Sequence, residues 1–368
     1  MTIGVVGLGA MGLGIAQVYA QAGQVVRATD AVAGARGSAL ERLAAALAQR
    51  VDKGAMTVAE RDAVLSRLLV VDRIEDVAPA DLVIEAVAED VAAKRAVFAI
   101  LSAIQPDAVL ATNTSSLSVA ALAQGLALPG RVIGLHFFNP APAMRLVELI
   151  GHPGTDPEAL ATARALTEAA GKSVITSPDR PGFIVNRCAR PFYGEALALL
   201  EEGHSAAAID GAMIAAGYRI GPLSLIDLIG ADINLAATEG LSAAMRGHPR
   251  YHVFRSLREQ VAAGRLGRKS GRGFAHPATV AAAPDAAIVS RIEAALVNEA
   301  CWLLAEGGVT EAGIDTALKL GLNFPRGPFE ILAARGAEVI RATLAACEAA
   351  APPHLKGRYL PAPKVQTR

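Results

Sequence analysis

The chain has no excess of charge of either sign, because 35 Lys and Arg residues balance 35 Asp and Glu residues. Such a neutral chain gives no reason to expect a nucleic acid or an anionic membrane surface as a partner. It also lacks any uninterrupted apolar run of membrane-spanning length. Charged residues make up only 19% of the chain and hydrophobic residues 52%, which is too apolar for disorder. We therefore expect a folded protein with large buried cores.

Cysteine is scarce and scattered. Cys188, Cys301 and Cys347 are odd in number and lack metal-ligand spacing, and no His/Cys cluster accompanies them. The sequence therefore predicts neither a disulfide framework nor a metal site. The strand-like run Thr2 to Val6 begins at once and leaves no room for a leader segment. We expect reduced thiols and a cytoplasmic location.

A glycine-rich turn joins the first strand-like run to a helix-like segment. The run leads into Gly7-Leu8-Gly9-Ala10-Met11-Gly12, and apolar residues then recur at helical spacing. The first glycine of this pattern permits a tight turn, the second lets a pyrophosphate approach the backbone, and the third lets the helix pack closely on the strand. The N–H groups at the start of the helix would face the phosphates. We predict a dinucleotide site at Gly7, Gly9 and Gly12.

An acidic residue follows the second strand-like run, Val25 to Thr29. Asp30 lies eighteen residues beyond Gly12, about where an acid bonds the ribose hydroxyls of a bound dinucleotide. A carboxylate there disfavours a 2′-phosphate, so the sequence predicts NAD rather than NADP. The simpler interpretation of Asp30 is a turn residue after a strand, but the glycine pattern and its flanks favour the cofactor.

The segment pattern predicts an α/β N-terminal domain followed by all-α C-terminal domains. Residues 1–177 alternate strand-like and helix-like segments, which is typical of a Rossmann-type, doubly wound domain with a largely parallel sheet. An inserted pair of helices follows Asp30. The second of them begins at a capping box, Thr57 to Glu60, and extends through Leu68. The pair could form a substrate wall or only add packing. A Pro- and Gly-rich break at residues 177–182 marks the domain boundary.

Two helical units after that boundary repeat one another. Glu195 to Gly203 is echoed by Glu299 to Gly307, and in both units an Ile-Asp pair and a Gly-Pro pair follow in the same order. This matching order predicts a duplicated helical domain. We assign the first copy to residues 178–280, the second to 285–350, and a Pro-rich extended tail to 351–368.

A histidine motif and a later glutamate stand near the end of the first domain. His136 lies within Gly134-Leu135-His136-Phe137-Phe138-Asn139-Pro140, and Glu148 follows twelve residues after the histidine. A lone histidine beside two phenylalanines is more often a buried structural residue. Its motif, and a carboxylate on a neighbouring strand-like run, favour an ionisable base with a partner.

Together these motifs resemble the L-3-hydroxyacyl-CoA dehydrogenase family. The resemblance is carried by the glycine turn, the His136 motif with Glu148, Asn113-Thr114-Ser115-Ser116-Leu117, and Pro181-Gly182-Phe183-Ile184-Val185-Asn186-Arg187. Two C-terminal repeats are similar to longer bacterial members, including those assigned to 3-hydroxyadipyl-CoA oxidation. The resemblance implies reversible NAD-dependent oxidation of an L-3-hydroxyacyl-CoA to the 3-oxoacyl-CoA.

The resemblance also implies roles for individual residues. His136 would be the general base, oriented by Glu148. Ser115 and Asn186 would hydrogen-bond the reacting oxygen. Each of these two could instead cap a turn or a helix. Asn139 is a secondary candidate that supports the loop.

Three further residues are expected to contact ligands. By resemblance, Glu89 and Lys94 contact the nicotinamide half of NAD, and Lys53 on the inserted helices contacts coenzyme A. The alternative interpretation of Lys53 is a solvated surface charge that binds no ligand. The expected partner is an acyl-CoA substrate, and the chain is expected to be a monomer or a homodimer.

Two other functions are compatible with part of this set of motifs. One is a dehydrogenase of a free 3-hydroxy acid, such as a sugar acid or a carnitine-like compound, which would not depend on coenzyme A. The other is an NAD-binding structural or regulatory protein, which would show no turnover.

Overall fold

A computed structural model of the chain describes residues 1–105, 107–278 and 280–366. The chain divides into two compact units, Met1–Arg180 and Pro181–Arg368. The first contains a sheet covered by helices, and every regular element described in the second is a helix. This division matches the predicted order of an α/β domain followed by all-α structure.

The first unit is built on one eight-stranded sheet. Its strands are β1 Thr2–Val6, β2 Val25–Thr29, β3 Leu68–Val70, β4 Leu82–Glu85, β5 Val109–Thr112, β6 Val132–Phe137, β7 Leu146–Gly151 and β8 Ser173–Pro178. Its helices are α1 Ala10–Gln21, α2 Ala33–Gly37, α3 Ala39–Asp52, α4 Val58–Arg67, α5 Val91–Ile104, α6 Val119–Ala123 and α7 Pro157–Ala169, with 3₁₀ turns at Ile74–Val77 and Pro129–Arg131.

The strand order places a ligand edge at the middle of the sheet. The order is β3-β2-β1-β4-β5-β6-β7-β8, and β1 to β6 are parallel, whereas β7 runs antiparallel to β6. The chain winds outward in one direction from β1 to β3 and in the other from β4. Ligands of such sheets bind outside the carboxyl ends of the strands at this switch point. The predicted Rossmann-type, doubly wound fold is confirmed.

Burial on both faces explains the composition of the strands. Val5 on β1, Ile84 on β4 and Leu135 on β6 are all completely buried. Strands of a parallel sheet that is covered by helices on both sides are apolar along their whole length, because neither face meets water. The predicted capping box of α4 is also confirmed, since Thr57 and Glu60 bond each other's backbone N–H groups.

Two local predictions in this unit were wrong. Leu68 was assigned to the second inserted helix, but it begins β3 and pairs with Val26 of β2. Residues 173–178 form β8 alongside β7, although the sequence predicted a break beginning at residue 177. Both segments are short, and hydrogen bonds to distant strands decide their conformation rather than local propensity.

The second unit consists of helices that occur in two similar series. The first series is α8 Val185–Cys188, α9 Arg190–Glu201, α10 Ala206–Ala215, α11 Pro222–Ile229, α12 Ala231–Ala244 and α13 Arg255–Ala262. The second is α14 Ala286–Ala305, α15 Glu311–Leu322, α16 Pro328–Arg335, α17 Ala337–Ala350 and α18 Pro363–Gln366. Short 3₁₀ turns lie at Pro249–Tyr251, Arg268–Ser270 and Pro353–Leu355.

Equivalent aspartates start equivalent helices in the two series. Asp210 on α10 accepts hydrogen bonds from the first backbone N–H groups of α11, and Asp315 on α15 does the same for α16. A Cβ atom at Gly221 or at Gly327 would lie 2.3 Å from the carboxyl carbon of the respective aspartate. The Ile-Asp and Gly-Pro pairs of the sequence repeat therefore form one packing unit, which occurs twice.

The segment after residue 350 is not the extended tail that its prolines predicted. Arg358 and Tyr359 are 4% and 2% exposed, and Val365 is completely buried. Arg358 Nε donates to Glu195 Oε1 at 2.7 Å, and Tyr359 Oη lies 2.8 Å from Glu195 Oε2. Proline interrupts helices but does not prevent packing, and the buried apolar and paired charged side chains hold the segment in place.

Within the described ranges, no helix is both long and apolar enough to cross a membrane.

Candidate functional site

The glycine-rich turn has the shape that a dinucleotide requires. Gly7 directly follows β1 and adopts φ +105°, and a Cβ atom there would lie 2.5 Å from the Ala86 carbonyl oxygen. A Cβ atom at Gly12 would lie 1.8 Å from the Gly7 carbonyl oxygen. At Gly9, by contrast, a Cβ atom would meet nothing within 4 Å. There is thus no room for a side chain at Gly7 in the turn or at Gly12, where the helix packs against the turn. The open space at Gly9 fits a pyrophosphate at the start of α1.

Asp30 lies next to this turn. It follows β2, and its carboxylate accepts hydrogen bonds from the backbone N–H of Leu8 at 2.7 Å and of Val32 at 2.8 Å. Arg42 Nη2 donates to the Leu8 carbonyl oxygen, and Arg36 Nη1 donates to the Asp30 carbonyl oxygen. The structure therefore brings the predicted ribose acid and the predicted phosphate turn together, although they are far apart in sequence. Its contact with a ribose remains a prediction.

His136 and Glu148 are direct cross-strand partners. Their Cα atoms pair in the antiparallel register of β6 and β7, and His136 Nδ1 lies 2.7 Å from Glu148 Oε2. His136 is 6% exposed and Glu148 is completely buried. An ionised carboxylate can only accept a hydrogen bond, so this contact requires the proton on Nδ1 and the lone pair of the neutral imidazole on Nε2. The pair is thus arranged as a base with a fixed tautomer.

Asn113 ties the histidine strand to the Ser115 loop, although the sequence patterns predicted no role for it. Its Oδ1 accepts a hydrogen bond from the backbone N–H of Phe137 at 2.8 Å, one residue after His136. Its own backbone N–H donates to the Glu85 carbonyl oxygen at 2.8 Å. Asn113 is the first residue of the Asn-Thr-Ser-Ser run that carries part of the family resemblance. Only Ser115, the third residue of that run, was predicted to take part in the reaction. An amide directly after a strand was the signal that could have found it.

Glu89 organises the loop that carries Ser115. Its Oε1 accepts hydrogen bonds from Thr114 Oγ1 at 2.5 Å, from the Ser115 backbone N–H at 3.0 Å and from Ser116 Oγ at 2.9 Å. Burial alone would raise the pKa of Glu89, but these hydrogen bonds and the charge of Lys94 outweigh it and lower the pKa below its usual value. The carboxylate is therefore held ionised beside the Ser115 backbone.

The Lys94 side chain is buried more deeply than is expected of a residue that contacts a cofactor at the protein surface. It is 1% exposed, and its Nζ lies 2.8 Å from Glu85 Oε1 and 3.3 Å from Glu89 Oε2. Glu85 also accepts from Thr112 Oγ1 at 2.8 Å. A buried lysine between two carboxylates fixes the carboxyl ends of β4 and β5. The predicted contacts of Glu89 and Lys94 with the nicotinamide half stay predictions.

The remaining predicted residues lie elsewhere in the chain. Asn186 belongs to the second unit, on α8, and its carbonyl oxygen accepts a hydrogen bond from Arg190 Nε. Lys53 is exposed directly after α3, and Asn139 is exposed two residues after the end of β6. In the parts of the chain that the structure describes, no group of three or more His, Cys, Asp or Glu side chains is arranged to hold a metal ion.

Comparison with known families assigns both units. The family model for the 3-hydroxyacyl-CoA dehydrogenase NAD-binding domain matches residues 2–180. The model for the 3-hydroxyacyl-CoA dehydrogenase C-terminal domain matches twice, at residues 182–276 and 288–366. Together the two models span nearly the whole chain, and the second match agrees with the duplication seen in the sequence.

Individual relatives give the same result. The chain is 43% identical over 275 residues to a 3-hydroxyadipyl-CoA dehydrogenase of Escherichia coli, a match that covers 74% of this chain and 58% of that protein. It is 42% identical over 273 residues to a probable 3-hydroxybutyryl-CoA dehydrogenase of Bacillus subtilis, covering 73% of this chain and 95% of that one.

A solved structure matches the full length of the chain. The crystal structure of a 3-hydroxybutyryl-CoA dehydrogenase from Escherichia coli superposes with a TM-score of 0.93 and 32% identity, covering 100% of this chain and 97% of the other. The chain therefore belongs to the 3-hydroxyacyl-CoA dehydrogenase family, and it is an NAD-dependent oxidoreductase of that family.

Proposed function

We propose that the protein catalyses the reversible oxidation of an L-3-hydroxyacyl-CoA to the 3-oxoacyl-CoA, with His136 as the general base. The buried His136–Glu148 pair is the observation that carries this proposal. It lies on the same sheet as the glycine turn, next to the carboxyl ends of the parallel strands. NAD, when bound, accepts the hydride from C3 of the substrate.

His136 takes the proton of the 3-hydroxyl group. Since Nδ1 donates to Glu148, Nε2 is the nitrogen with the lone pair, and it accepts the hydroxyl proton as the C3–H bond breaks. The imidazole becomes an imidazolium, and the Glu148 carboxylate stabilises its charge at 2.7 Å. In the direction of reduction, the same nitrogen returns the proton to the oxygen of the 3-oxo group.

Ser115 and Asn186 hydrogen-bond the reacting oxygen. Positioned donors stabilise charge where it develops in the transition state, and they also fix the orientation of the oxygen relative to the base. Glu89 supports this role because it holds the backbone N–H of Ser115 at 3.0 Å and the hydroxyl groups on either side of it. Lys53 is exposed, and we assign it to the coenzyme A phosphates.

The thioester distinguishes this reaction from that of a free 3-hydroxy acid. The test follows NADH absorbance with acetoacetyl-CoA and with free acetoacetate, for the native protein and for His136→Gln. We expect oxidation of NADH with the thioester alone and its loss in the variant. Equal rates with the free acid would contradict the substrate class, and an unchanged rate in His136→Gln would contradict the base. Lack of turnover with both compounds and with longer 3-oxoacyl-CoA thioesters would favour a non-enzymatic NAD-binding protein.

We also infer that the chain acts as a monomer, because its two helical repeats already pair with one another inside the second unit, where Arg187 of the first binds Glu299 of the second and Arg291 of the second binds Glu195 of the first. Light scattering after size-exclusion chromatography should give a mass near 37.8 kDa. A mass of twice that value would contradict the inference.

A further inference from the structure

The loop between β6 and β7 joins the strand of His136 to the strand of Glu148. It comprises residues 138–145, because β6 ends at Phe137 and β7 begins at Leu146. His136 therefore lies two residues before the loop, and Glu148 lies three residues after it. The position of the loop thus bears directly on the 2.7 Å contact between the His136 and Glu148 side chains.

Lys172, which directly precedes β8, binds this loop with its side-chain nitrogen. Nζ donates to the carbonyl oxygen of Ala141 at 2.6 Å and to that of Met144 at 2.7 Å, and it lies 3.5 Å from the carbonyl oxygen of Pro142. Three carbonyl groups of one loop thus face a single nitrogen atom. Carbonyl oxygens that are withdrawn from water are costly to leave without a donor, so the conformation of the loop depends on Lys172.

Lys172 makes these bonds without a carboxylate partner. Burial lowers its pKa from 10.5 to about 8, and no aspartate or glutamate among the described residues forms an ion pair with it. The buried Lys94 of the same unit, by contrast, lies between Glu85 and Glu89. An amine keeps two N–H groups when it loses its proton, which is enough for the two short bonds. Lys172 therefore binds the loop on both sides of its pKa.

The same loop packs closely against α1, the helix that begins at the glycine-rich turn. A Cβ atom at Gly14 of α1 would lie 3.3 Å from Pro142 Cδ and 3.4 Å from Ala141 Cβ. Ala141 itself is only 2% exposed. There is thus no spare room between the loop and α1, so the loop is bound by Lys172 and confined by the helix.

We propose that Lys172 is a positioning residue for the reaction: by fixing the β6–β7 loop, it holds His136 and Glu148 in the contact that makes His136 a base. This inference rests on the proposed function, in which His136 takes the proton of the 3-hydroxyl group. Lys172 bonds the loop backbone and acts through it. Asn113 bonds the backbone of β6 alone, whereas Lys172 holds the segment that joins both strands.

Kinetics of two substitutions test this role. Lys172→Met keeps most of the apolar part of the side chain but has no N–H group. We expect kcat with acetoacetyl-CoA and NADH to fall by about 10-fold or more, the effect of losing hydrogen bonds from a charged group, with a smaller change in either KM. Lys172→Arg keeps N–H donors and should retain more of the native kcat. A native kcat in Lys172→Met would overturn the proposal, even if the urea midpoint fell, because Lys172 would then serve only the fold.

Lys356 provides a matched control in the second unit. Its Nζ also donates to backbone carbonyl oxygens, those of Glu348 and Ala349, and its side chain is exposed. Lys356→Met removes the same kind of contact far along the chain from the β6–β7 loop, so it should keep the native kcat. An equal loss of kcat in Lys172→Met and Lys356→Met would contradict a role that is specific to the loop.

Gly14→Ala shifts the loop without removing a hydrogen bond. The added Cβ atom requires Ala141 and Pro142 to move by a few tenths of an ångström, which a loop held by Lys172 resists. We expect Gly14→Ala to lower kcat in the native background and to have a smaller effect in Lys172→Met, where the loop can move. The same fold-change in both backgrounds would show that Lys172 does not hold the loop.

Proton NMR separates this inference from the function on which it rests. The proton between His136 Nδ1 and Glu148 should resonate far downfield, and its loss in Glu148→Gln identifies it. We expect Lys172→Met to shift or broaden this resonance, whereas Lys356→Met leaves it in place. An unchanged resonance in Lys172→Met would contradict the positioning role. No turnover of any thioester by the native protein would contradict the proposed function, while the resonance still decides whether Lys172 holds the pair.

Discussion

Arg187 and Arg291 hold equivalent positions in the two helical repeats, and each reaches the glutamates of the other repeat. Arg187 Nε donates to Glu299 at 2.7 Å, and its two Nη atoms donate to Glu306. Arg291 makes the same three contacts in the opposite direction, with Glu195 and Glu202. Such reciprocal contacts are typical of a two-fold interface between identical subunits, and here a single chain supplies both sides.

Breaking this contact should destabilise the second unit. Arg187→Met leaves the buried Glu299 without its closest cation, and removing one partner of a buried ion pair costs about 3–5 kcal/mol. We expect a lower urea midpoint by circular dichroism. The control is Arg255→Met, whose ion pair with Glu259 is exposed and should contribute about 0–1 kcal/mol. Equal midpoints for the two variants would contradict a stabilising role for the reciprocal contact.

Glu148 should matter for turnover more than for binding. Glu148→Gln removes the charge that fixes the His136 tautomer and stabilises the imidazolium, so kcat should fall by about 100-fold or more. NAD affinity, measured by quenching of protein fluorescence, should change little. Glu168→Gln removes an exposed carboxylate of the same unit and serves as the control. If both variants kept the native kcat, the base could not depend on Glu148.

Asn113 should act as a positioning residue for His136. Asn113→Leu leaves the Phe137 N–H without its acceptor, a loss of about 1–3 kcal/mol that falls on the strand carrying the base. We expect a lower kcat with a smaller change in KM for the thioester. Asn113→Asp keeps an acceptor oxygen and should retain more activity. If the two substitutions lowered kcat equally, the hydrogen bond to Phe137 would not be the cause.

Cofactor choice should depend on Asp30. In Asp30→Ser the carboxylate that disfavours a 2′-phosphate is gone, while Arg36 can still donate to the backbone carbonyl of residue 30 and Arg42 to that of Leu8. We expect the ratio of kcat/KM for NADP to that for NAD to rise by about 10- to 100-fold, the effect of one charged hydrogen bond. Asp72→Ser removes an acid that is 92% exposed and pairs with Arg36, and it should leave the ratio unchanged.

Lys172 should titrate near pH 8. Its Nζ donates to the carbonyl oxygens of Ala141 and Met144, and burial lowers its pKa from 10.5 to about 8. Because the folded-state pKa is depressed, the contribution of Lys172 to the free energy of unfolding is fully present above pH 10.5 and is lost as the pH falls through 8.

Acetylation followed by peptide mass spectrometry checks this titration. The rate of Lys172 acetylation should reach half of its maximum near pH 8 in the folded protein and near pH 10.5 in the protein unfolded by urea. The same midpoint in both states would show that burial does not shift the group.

Patterns within short stretches of sequence accounted for much of the fold. Alternating strand-like and helix-like runs predicted the doubly wound domain, and the glycine spacing after β1 predicted the turn whose open space lies at Gly9. The Thr57–Glu60 capping box was equally local, because both of its bonds lie within one helical turn. Short-range geometry of this kind depends on neighbouring residues alone, so sequence spacing is sufficient to predict it.

The sequence patterns did not predict contacts between distant segments. The Pro-rich tail was predicted to be extended, but Glu195 holds Arg358 across 163 positions. Asn113 received no role, because its bond to Phe137 joins the ends of two strands. Such pairings depend on sheet register and helix packing, which the spacing of residues within a short stretch of sequence does not encode.

The sequence by itself determined the family motifs, the cofactor class and the identity of the residues able to act as base and acid. Only the tertiary structure decided that His136 and Glu148 face each other directly across an antiparallel pair of strands, since a shift of one residue would turn one side chain to the other face of the sheet. Only the structure, likewise, showed which buried arginines meet carboxylates and that Lys172 meets backbone carbonyl oxygens instead. Compensation of a charge depends on what packs around it in space, and the chain order does not contain that information.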